Sequence, residues 1–417
     1  MQVHVRGGRV VDPAAGTEIA ADVFVRDGVI ASIGSAPAGF RAEQVVEAGG
    51  CIVAPGLVDL CARTRESSAE VAAAVAGGVT TLACPPDTEP PLDEPGRVEM
   101  LQYRTQKMNL ARVLPLGALT VKLAGERLAE MGELRAAGCV AFTQADQPLV
   151  DTQVLYRALQ YAATFGYSVW LRPQDPYLAK NGVAHDGEVA TRLGLPGIPS
   201  VAETIALDTI LQLVRLTGAR VHICRLSTAA AVDMIAHAKA EGLPVTCDVS
   251  VHHLHMSEMD IGYFDSVAHV IPPFRSRRDR DALRVGAANG TIDAICSDHA
   301  PCAEDDKQLP FGEAQPGTTG LELLLPLTLK WAHEMKVALP QALARITAAP
   351  ARILSLPALA PSVGAVADLC VIDPEHVVTV SAASLRSHGK NTPFLGYELA
   401  GVARATLIAG RLVHHLD

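Results

Sequence analysis

The chain has 417 residues, of which 49% are hydrophobic and 19% charged, and this composition excludes a disordered protein because it permits a large buried core. Lysine and arginine number 35 against 45 aspartate and glutamate residues, which gives a formal net charge of −10. An acidic chain with only 4% aromatic residues and no basic run is not expected to bind nucleic acid. Its length fits two or three domains, or one barrel with an accessory domain.

The nine cysteines are widely spaced and form no C-x-x-C pair, so neither a disulfide framework nor a zinc ribbon is expected. Residues 1–6 lack the apolar core of a signal peptide. No uncharged apolar stretch reaches the length of about 18 residues that a membrane span requires. We therefore expect a cytoplasmic protein with no membrane partner.

The two ends of the chain share a pattern of short β-type runs broken by glycine turns. In the first 50 residues, Asp27-Gly28 lies between two such runs and predicts a hairpin. Similar short runs occur at 368–372, 405–408 and 411–413. This likeness predicts that residues 1–53 and 356–417 pair into one small β-domain.

The middle of the chain, residues 54–355, alternates apolar runs with alanine- and leucine-rich helical stretches. Continuous apolar runs are typical of parallel strands that are buried on both faces. The predicted strands are 57–60, 79–83, 112–116, 139–142, 168–171, 220–224, 244–249 and 292–296. The clearest predicted helices are 126–136, 151–164, 203–216, 228–241, 277–288 and 320–335. Eight such repeats predict an α/β fold with a (β/α)8 TIM barrel, and an open doubly wound sheet is the alternative.

Barrel enzymes carry their chemistry where the strands end, so the residues that follow each strand are the candidate site. These are polar at most positions. In chain order they include Cys61, Arg63, Arg65, Glu66, Asp87, Thr143, Gln144, Asp146, Arg172, Asp175, Arg225, His252, His253, Asp298, His299 and Cys302.

Several motifs resemble the dihydroorotases of the amidohydrolase superfamily, in particular their type I form. They are spread over nearly the whole chain, at 54–59, 78–81, 138–143, 187–189, 221–223, 227–228, 272–275, 298–301, 317–322, 364–368 and 391–393. The resemblance implies an amidohydrolase-type barrel with a small β-sandwich formed by the N- and C-terminal segments.

The metal ligands that the resemblance implies are mostly replaced in this chain. Dihydroorotases hold one or two Zn²⁺ ions, and their His-x-His motif falls on Cys61 and Arg63. The position of the bridging carboxylated lysine reads Gln144. Two further histidines correspond to Arg172 and Arg225, and the family's catalytic aspartate corresponds to Asp298. Only Asp298 keeps the family's residue type.

Arginine cannot take over the work of these histidines. Catalytic zinc needs about three protein donors, whereas a guanidinium has no lone pair and stays protonated. At an effective dielectric constant of ~20, two like unit charges ~4 Å apart repel by roughly 4 kcal/mol, and zinc carries two charges. We therefore expect no cofactor at this position, and Asp298 becomes a vestigial catalytic residue.

The substrate-binding positions implied by the family are also altered. Arg65 matches the arginine that binds the substrate carboxylate, and a salt bridge from Arg65 to a neighbour such as Asp59 is the alternative. Asp87 stands where the family has asparagine, and Cys302 where it has histidine.

The remaining histidines admit structural interpretations. His253 is expected to be a hydrogen-bonded core residue, within the cluster of His252, His253 and His255. His222 lies inside a predicted strand, and His299 is expected to orient Asp298. A relocated metal site built from Cys61, His253, Asp298 and Cys302 is the alternative.

The resemblance implies a specific role for family members that have lost these histidines. Such proteins are non-catalytic partners of aspartate carbamoyltransferase in bacterial pyrimidine biosynthesis, so we expect a pseudoenzyme that forms a homo-oligomer within a larger hetero-oligomer. An active amidohydrolase with a rearranged metal site is the competing hypothesis. A third is an anion-binding module built from Arg63, Arg65, Arg172 and Arg225. In the first case we expect Arg172 or Arg225 to pair with Asp298, because a lone buried carboxylate is costly.

Overall fold

A computed structural model describes residues 1–416. Its strands, in chain order, are β1 (Gln2–Arg6), β2 (Arg9–Asp12), β3 (Thr17–Ala20), β4 (Val23–Arg26), β5 (Val29–Ile33), β6 (Gln44–Glu47), β7 (Ile52–Pro55), β8 (Leu57–Asp59), β9 (Val79–Cys84), β10 (Arg112–Ala118), β11 (Ala141–Thr143), β12 (Ser168–Leu171), β13 (Ala184–His185), β14 (Gly197–Ile198), β15 (Arg220–Ile223), β16 (Val245–Ser250), β17 (Ala294–Cys296), β18 (Leu369–Thr379), β19 (Glu398–Ile408) and β20 (Arg411–His415).

The α-helices fall mainly between the strands of the middle region. They are α1 (Ser68–Ala76), α2 (Pro95–Met108), α3 (Met131–Ala136), α4 (Thr152–Phe165), α5 (Glu188–Leu193), α6 (Val201–Thr217), α7 (Ala229–Ala240), α8 (Arg277–Asn289), α9 (Glu304–Lys307), α10 (Leu324–Met335), α11 (Leu339–Ala344) and α12 (Ala348–Ile353). None of the helices within residues 1–416 is both long and apolar enough to cross a membrane.

Eight parallel strands form a nearly closed barrel. The order of hydrogen-bonded neighbours is β8, β9, β10, β11, β12, β15, β16 and β17. Between the first and last of these, Ala62 and His299 form a parallel bridge just beyond the strand ends. Within the first and last strands themselves, Val58 N of β8 donates to the Ile346 carbonyl and Ile295 N of β17 donates to the Arg345 carbonyl. Residues 345–346 thus lie between these two strands and bridge them. The predicted (β/α)8 fold is thus confirmed, and the open doubly wound sheet is wrong.

Local sequence signals explain where several helices begin and end. Asp151 accepts a hydrogen bond from Gln153 N at the start of α4, and Gly166 ends that helix in the left-handed conformation with φ 68°. Thr228 and Ser276 cap α7 and α8 in the same way. Each cap fixes the residue at which a helix begins, and therefore the length of the loop between the preceding strand and that helix.

Two predicted helices begin later than the sequence pattern suggests. The helix predicted at 126–136 is α3 alone, because the preceding backbone pairs instead with residues 119–121, where Ala129 N donates to Leu119 O. The helix predicted from residue 320 begins at Leu324, because Gly320 N donates to the His299 ring. In both cases a tertiary hydrogen bond takes the place of the first helical turn.

The two chain ends form two further sheets that pack together. One sheet has the order β5, β4, β1, β6, and the other has the order β20, β19, β18, β7, β2, β3. Side chains of the six-stranded sheet alternate between two cores, as a period of two requires: Val53 and Val371 face the small sheet, whereas Ile52 and Ile372 join the barrel core. This sheet therefore fixes the β-domain to the barrel.

The hairpin predicted at Asp27-Gly28 is confirmed. It joins the antiparallel strands β4 and β5, and both turn residues have positive φ, 51° for Asp27 and 85° for Gly28. Two-residue hairpin turns of this kind favour Asp-Gly because both positions require the left-handed region.

Candidate functional site

A cavity of about 870 Å³ opens at the carboxyl ends of the barrel strands. Its walls are dominated by charged side chains. They are Arg63, Arg65, Glu66, Asp87, Glu89, Arg104, Asp146, Arg225 and Asp298. The cavity is therefore located where barrel enzymes place their active sites.

Asp146 is the centre of the charged network in this cavity. Its carboxylate accepts hydrogen bonds from Arg63 Nη2 at 2.6 Å, from Arg172 Nε at 2.9 Å and from Arg225 Nη2. Arg172 Nη2 also donates to the Asp146 carbonyl oxygen at 2.7 Å. Three arginines from three different strand ends thus converge on one carboxylate.

Asp298 is the second acceptor of the network. Arg225 Nη1 lies 2.9 Å from Asp298 Oδ1, and Arg63 Nη1 lies 3.7 Å from the same atom. The predicted pairing of Asp298 with Arg172 or Arg225 is thereby confirmed for Arg225. Arg172 binds Asp146 instead.

The charges of this network balance one another. The guanidinium groups of Arg63, Arg172 and Arg225 face the carboxylates of Asp146, Asp298 and Asp87, of which Asp87 accepts from Arg63 Nε at 2.8 Å. Burial raises the pKa of the Asp146 carboxyl, but the charges of Arg225, Arg63 and Arg172 outweigh it and hold that pKa well below its usual range. An anion-binding role for these three arginines is therefore poorly supported, because each already has a carboxylate partner.

Four cavity-lining residues occupy the left-handed backbone region, which residues with a side chain rarely adopt. The φ angles are 47° for Arg65, 54° for Glu66, 54° for Arg225 and 46° for Asp298. Such strained positions persist where the surrounding structure fixes them, and they cluster at functional sites. The backbone around the cavity thus keeps the geometry of a binding site.

Known proteins resemble this chain in sequence. A model of the dihydro-orotase-like family matches residues 50–231. A dihydroorotase-like protein of Pseudomonas aeruginosa is 43% identical over 422 aligned positions, which cover 99% of this chain and 100% of that protein. The chain belongs to the dihydroorotase-like family of the amidohydrolase superfamily. A dihydroorotase of Geobacter sp. strain M21 is 38% identical, with 99% of each chain covered.

Solved structures of other amidohydrolases share the fold of this dihydroorotase-like chain. The L-hydantoinase (dihydropyrimidinase) from Arthrobacter aurescens superposes with a TM-score of 0.86 and covers 99% of this chain and 96% of its own. Its sequence identity is 24%, so the likeness concerns the fold alone.

The residues at the zinc-ligand positions of the dihydroorotase family do not fit a zinc ion. Arg63, Arg172 and Arg225 present only N–H donors, and their charges are directed into the space between the strand ends. Gln144 makes its hydrogen bonds with Thr120 and the Leu123 carbonyl, on the other side of its loop. Cys61 offers a thiol 3.6 Å from Asp298, and burial raises the pKa of that thiol well above its usual value. Two potential donors remain, fewer than a catalytic zinc site uses.

The predicted substrate-binding residues line the cavity or its edge. Arg65 does not pair with Asp59, so that alternative is wrong: Asp59 is fully buried and accepts from Ser297 N at 2.7 Å. Instead, the Gln315 amide accepts from Arg65 Nη2 at 2.9 Å when its oxygen is oriented toward that arginine. Cys302 is buried beside the cavity, where its thiol donates to the Ala300 carbonyl at 3.6 Å.

His299 does not orient Asp298, contrary to the sequence-based expectation. Its Nε2 atom lies 2.8 Å from Glu70 Oε2, and its Nδ1 atom accepts from Gly320 N at 3.1 Å. Glu70 also accepts from Ser387 Oγ. Through Glu70, the side chain of His299 therefore connects the barrel to the segment before β19. The left-handed backbone at Asp298 makes the side chains of Asp298 and His299 point in different directions.

His222, His252 and His253 are buried residues. His253 Nε2 lies 3.1 Å from the Pro272 carbonyl, in line with the prediction, and its ring packs on Phe274. It makes no contact with Cys61 or Cys302 that would assemble the relocated metal site. Within residues 1–416, the only group of three or more potential ligands close enough to share an ion is His222, Cys224 and Asp248.

The sequence places Asp146 among the polar residues that follow the strands, but no pattern in the sequence gives it a role there. The resemblance directed attention to Gln144, two positions earlier, which faces away from the arginines. Charge is the feature of the sequence that could have identified Asp146. Three arginines at strand ends need anionic partners when they are buried, and Asp146 is a carboxylate only two positions after Gln144.

Proposed function

We propose that this protein is a catalytically inactive dihydroorotase-like subunit of pyrimidine biosynthesis that assembles with aspartate carbamoyltransferase. The observation that supports this proposal is the ion-pair network of Arg225, Asp298 and Asp146. It occupies the volume between strand ends in which the family holds its metal.

The chemistry of the cavity agrees with an inactive site. Hydrolysis of a cyclic amide needs an activated water and a base that can accept its proton. Asp298 accepts a hydrogen bond from Arg225, and the Asp146 and Asp87 carboxylates are held by arginines. The pocket thus offers no unpaired base among these three carboxylates.

The proposed partner follows from the family. The resemblance implies that members without the zinc-binding histidines are non-catalytic partners of aspartate carbamoyltransferase, and this chain has Cys61, Arg63, Arg172 and Arg225 at those positions. A protein that has lost its metal site still needs a folded barrel if the outer surface of that barrel binds a partner protein. We infer that the chain forms a homo-oligomer within this larger assembly.

Gel filtration tests the assembly. The full chain is co-expressed with the aspartate carbamoyltransferase of the same organism, and co-elution at a mass above that of either protein alone is expected. Separate elution at micromolar concentrations of both would overturn the proposed assembly. As a matched control, gel filtration of the chain without the transferase gives the oligomeric state of the chain alone.

A dihydroorotate hydrolysis assay with added Zn²⁺ tests inactivity. The Geobacter dihydroorotase serves as the positive control. We expect no turnover above the buffer rate with the present chain. Turnover comparable to the control would reject the pseudoenzyme proposal.

The second candidate is an active amidohydrolase with a rearranged site. It is favoured by relatives that are 38% identical over 99–100% of this chain and are named dihydroorotase, and by a cavity large enough for a small cyclic substrate. The same hydrolysis assay separates the two candidates.

A further inference from the structure

Three potential metal ligands meet inside the barrel, below the arginine network. They are the imidazole of His222 on β15, the thiol of Cys224 just after β15 and the carboxylate of Asp248 on β16. One ligand atom from each lies within 4.8 Å of the other two. His222 and Asp248 are almost fully buried, with exposures of 0% and 1%.

The surroundings hold two of these groups in an orientation suited to a metal. His222 Nδ1 lies 2.8 Å from Thr246 Oγ1, and this contact directs Nε2 toward Asp248 Oδ2 at 2.9 Å. Histidine ligands of metals characteristically have their second ring nitrogen engaged in this way. The other carboxylate oxygen, Asp248 Oδ1, accepts from Arg225 N at 2.7 Å, so Oδ2 remains for the cluster.

Space is also available next to the cluster. A void of about 20 Å³ is lined by Cys224 and Asp248, together with Cys61, Trp170 and Arg225. That volume accommodates about one water molecule, which would serve as a fourth ligand.

The charges of the cluster match a divalent ion. With a metal bound, a Cys224 thiolate and the Asp248 carboxylate would supply two negative charges. Burial raises the pKa of the free Cys224 thiol well above its usual value, so its deprotonation depends on the bond to the metal. The guanidinium groups of Arg225 and Arg63, which also line the void, are paired with Asp298, Asp146 and Asp87. Nitrogen, sulfur and oxygen donors together suit Zn²⁺ or Co²⁺ better than Mg²⁺ or Ca²⁺.

We propose that His222, Cys224 and Asp248 form a buried structural site for a zinc-type divalent cation, distinct from the zinc position of the dihydroorotase family. On binding, the Cys224 thiol releases its proton to solvent and its sulfur bonds to the metal. The His222 ring changes tautomer: its proton moves from Nε2 to Nδ1, the Nδ1–H donates a hydrogen bond to Thr246 Oγ1, and the Nε2 lone pair bonds to the metal. Asp248 exchanges its hydrogen bond from His222 for a metal bond.

Cobalt provides the test because it reports thiolate ligation in its absorption spectrum. The full chain is expressed in Co²⁺-supplemented medium, and a second sample is refolded with Co²⁺. We expect stoichiometric cobalt, a thiolate-to-cobalt charge-transfer band, and quenching of Trp170 fluorescence, because the Trp170 ring lies 4.7 Å from the His222 ring. Lack of the band in both preparations would overturn the proposal.

Two serine variants locate the metal. Cys224→Ser is expected to lose the charge-transfer band, whereas Cys61→Ser, a change at the family's own ligand position, is expected to keep it. If the band is lost in Cys61→Ser and kept in Cys224→Ser, the ion occupies the family position, which overturns this site and also argues against the pseudoenzyme proposal. Should Cys224→Ser fail to fold, unchanged Trp170 fluorescence on cobalt loading, measured in a Trp331→Phe background so that only Trp170 emits, would itself overturn the proposal.

Discussion

Arg225 Nη1 lies 2.9 Å from Asp298 Oδ1, so a cation at the end of the sixth barrel strand neutralises a carboxylate at the end of the eighth. Both side chains are almost fully buried, with exposures of 4% and 8%. Burial raises the pKa of the Asp298 carboxyl above its usual value, although the charges of Arg225 and Arg63 oppose that rise. The pair is therefore an internal salt bridge at the position that the dihydroorotase resemblance assigns to the catalytic aspartate.

Removing one partner of this pair should be costly. We expect Arg225→Met to lower the free energy of unfolding by about 3–5 kcal/mol, because it leaves buried carboxylates without a cation. Asp298→Asn alone should also destabilise the protein. Urea unfolding of both single variants and the double variant measures their coupling, and the double variant should lose less than the sum of the two. Strict additivity would show that the contact contributes no interaction energy.

Asp146 should matter more than Asp87, although both accept hydrogen bonds from Arg63. Asp146 holds three arginines and Asp87 holds one. We expect Asp146→Asn to cost about 3–5 kcal/mol, since it leaves guanidinium groups unbalanced in a buried site, and Asp87→Asn to cost clearly less. Chemical denaturation of the two matched variants provides the comparison. Equal losses would mean that Asp146 is not the centre of the network.

Restoring a single family histidine should not restore hydrolysis. Arg225→His returns one ligand type, but Arg63 and Arg172 remain, and a catalytic zinc needs about three donors together. We expect no dihydroorotate turnover by this variant at saturating Zn²⁺, with circular dichroism used to verify that it is folded. Measurable turnover by Arg225→His alone would contradict this account of the site.

The barrel was predictable because its strands are buried on both faces and therefore appear as continuous apolar runs. All eight predicted strands overlap observed ones, for example 168–171 with β12. Helix starts were less predictable, since the hydrogen bond from Gly320 to His299 depends on a contact between segments about 20 residues apart.

The composition of the site was predictable, but its pairing was not. Motif positions identified Arg63, Arg172 and Arg225, since residue identity at a strand end is visible in sequence. The direction in which a side chain points is not visible in sequence. Ala145, between Gln144 and Asp146, adopts a left-handed backbone with φ 51°. Of these two neighbours, only Asp146 contacts the arginines, whereas Gln144 binds Thr120. The same limit explains why His299 was assigned to the wrong neighbour.

Buried histidines should make the fold sensitive to acid. Burial lowers the pKa of His252 to about 3, and the pKa values of His253 and His255 to about 4. In the unfolded chain these groups titrate near 6.5. As the pH falls below about 6.5, the unfolded state binds protons that the folded state does not, so stability falls progressively down to about pH 3.

His252 offers the cleanest test, because it is almost fully buried and its pKa is lowered furthest of the three histidines. Each such histidine contributes a slope of roughly 1.4 kcal/mol per pH unit below pH 6. We expect His252→Leu to reduce the slope of unfolding free energy between pH 6 and 4.5 by about this amount, whereas the same change at the exposed His376 should leave it unaltered. Urea titrations at several pH values measure both slopes. An identical pH dependence in His252→Leu and wild type would mean that His252 binds its proton equally well in the folded and unfolded states.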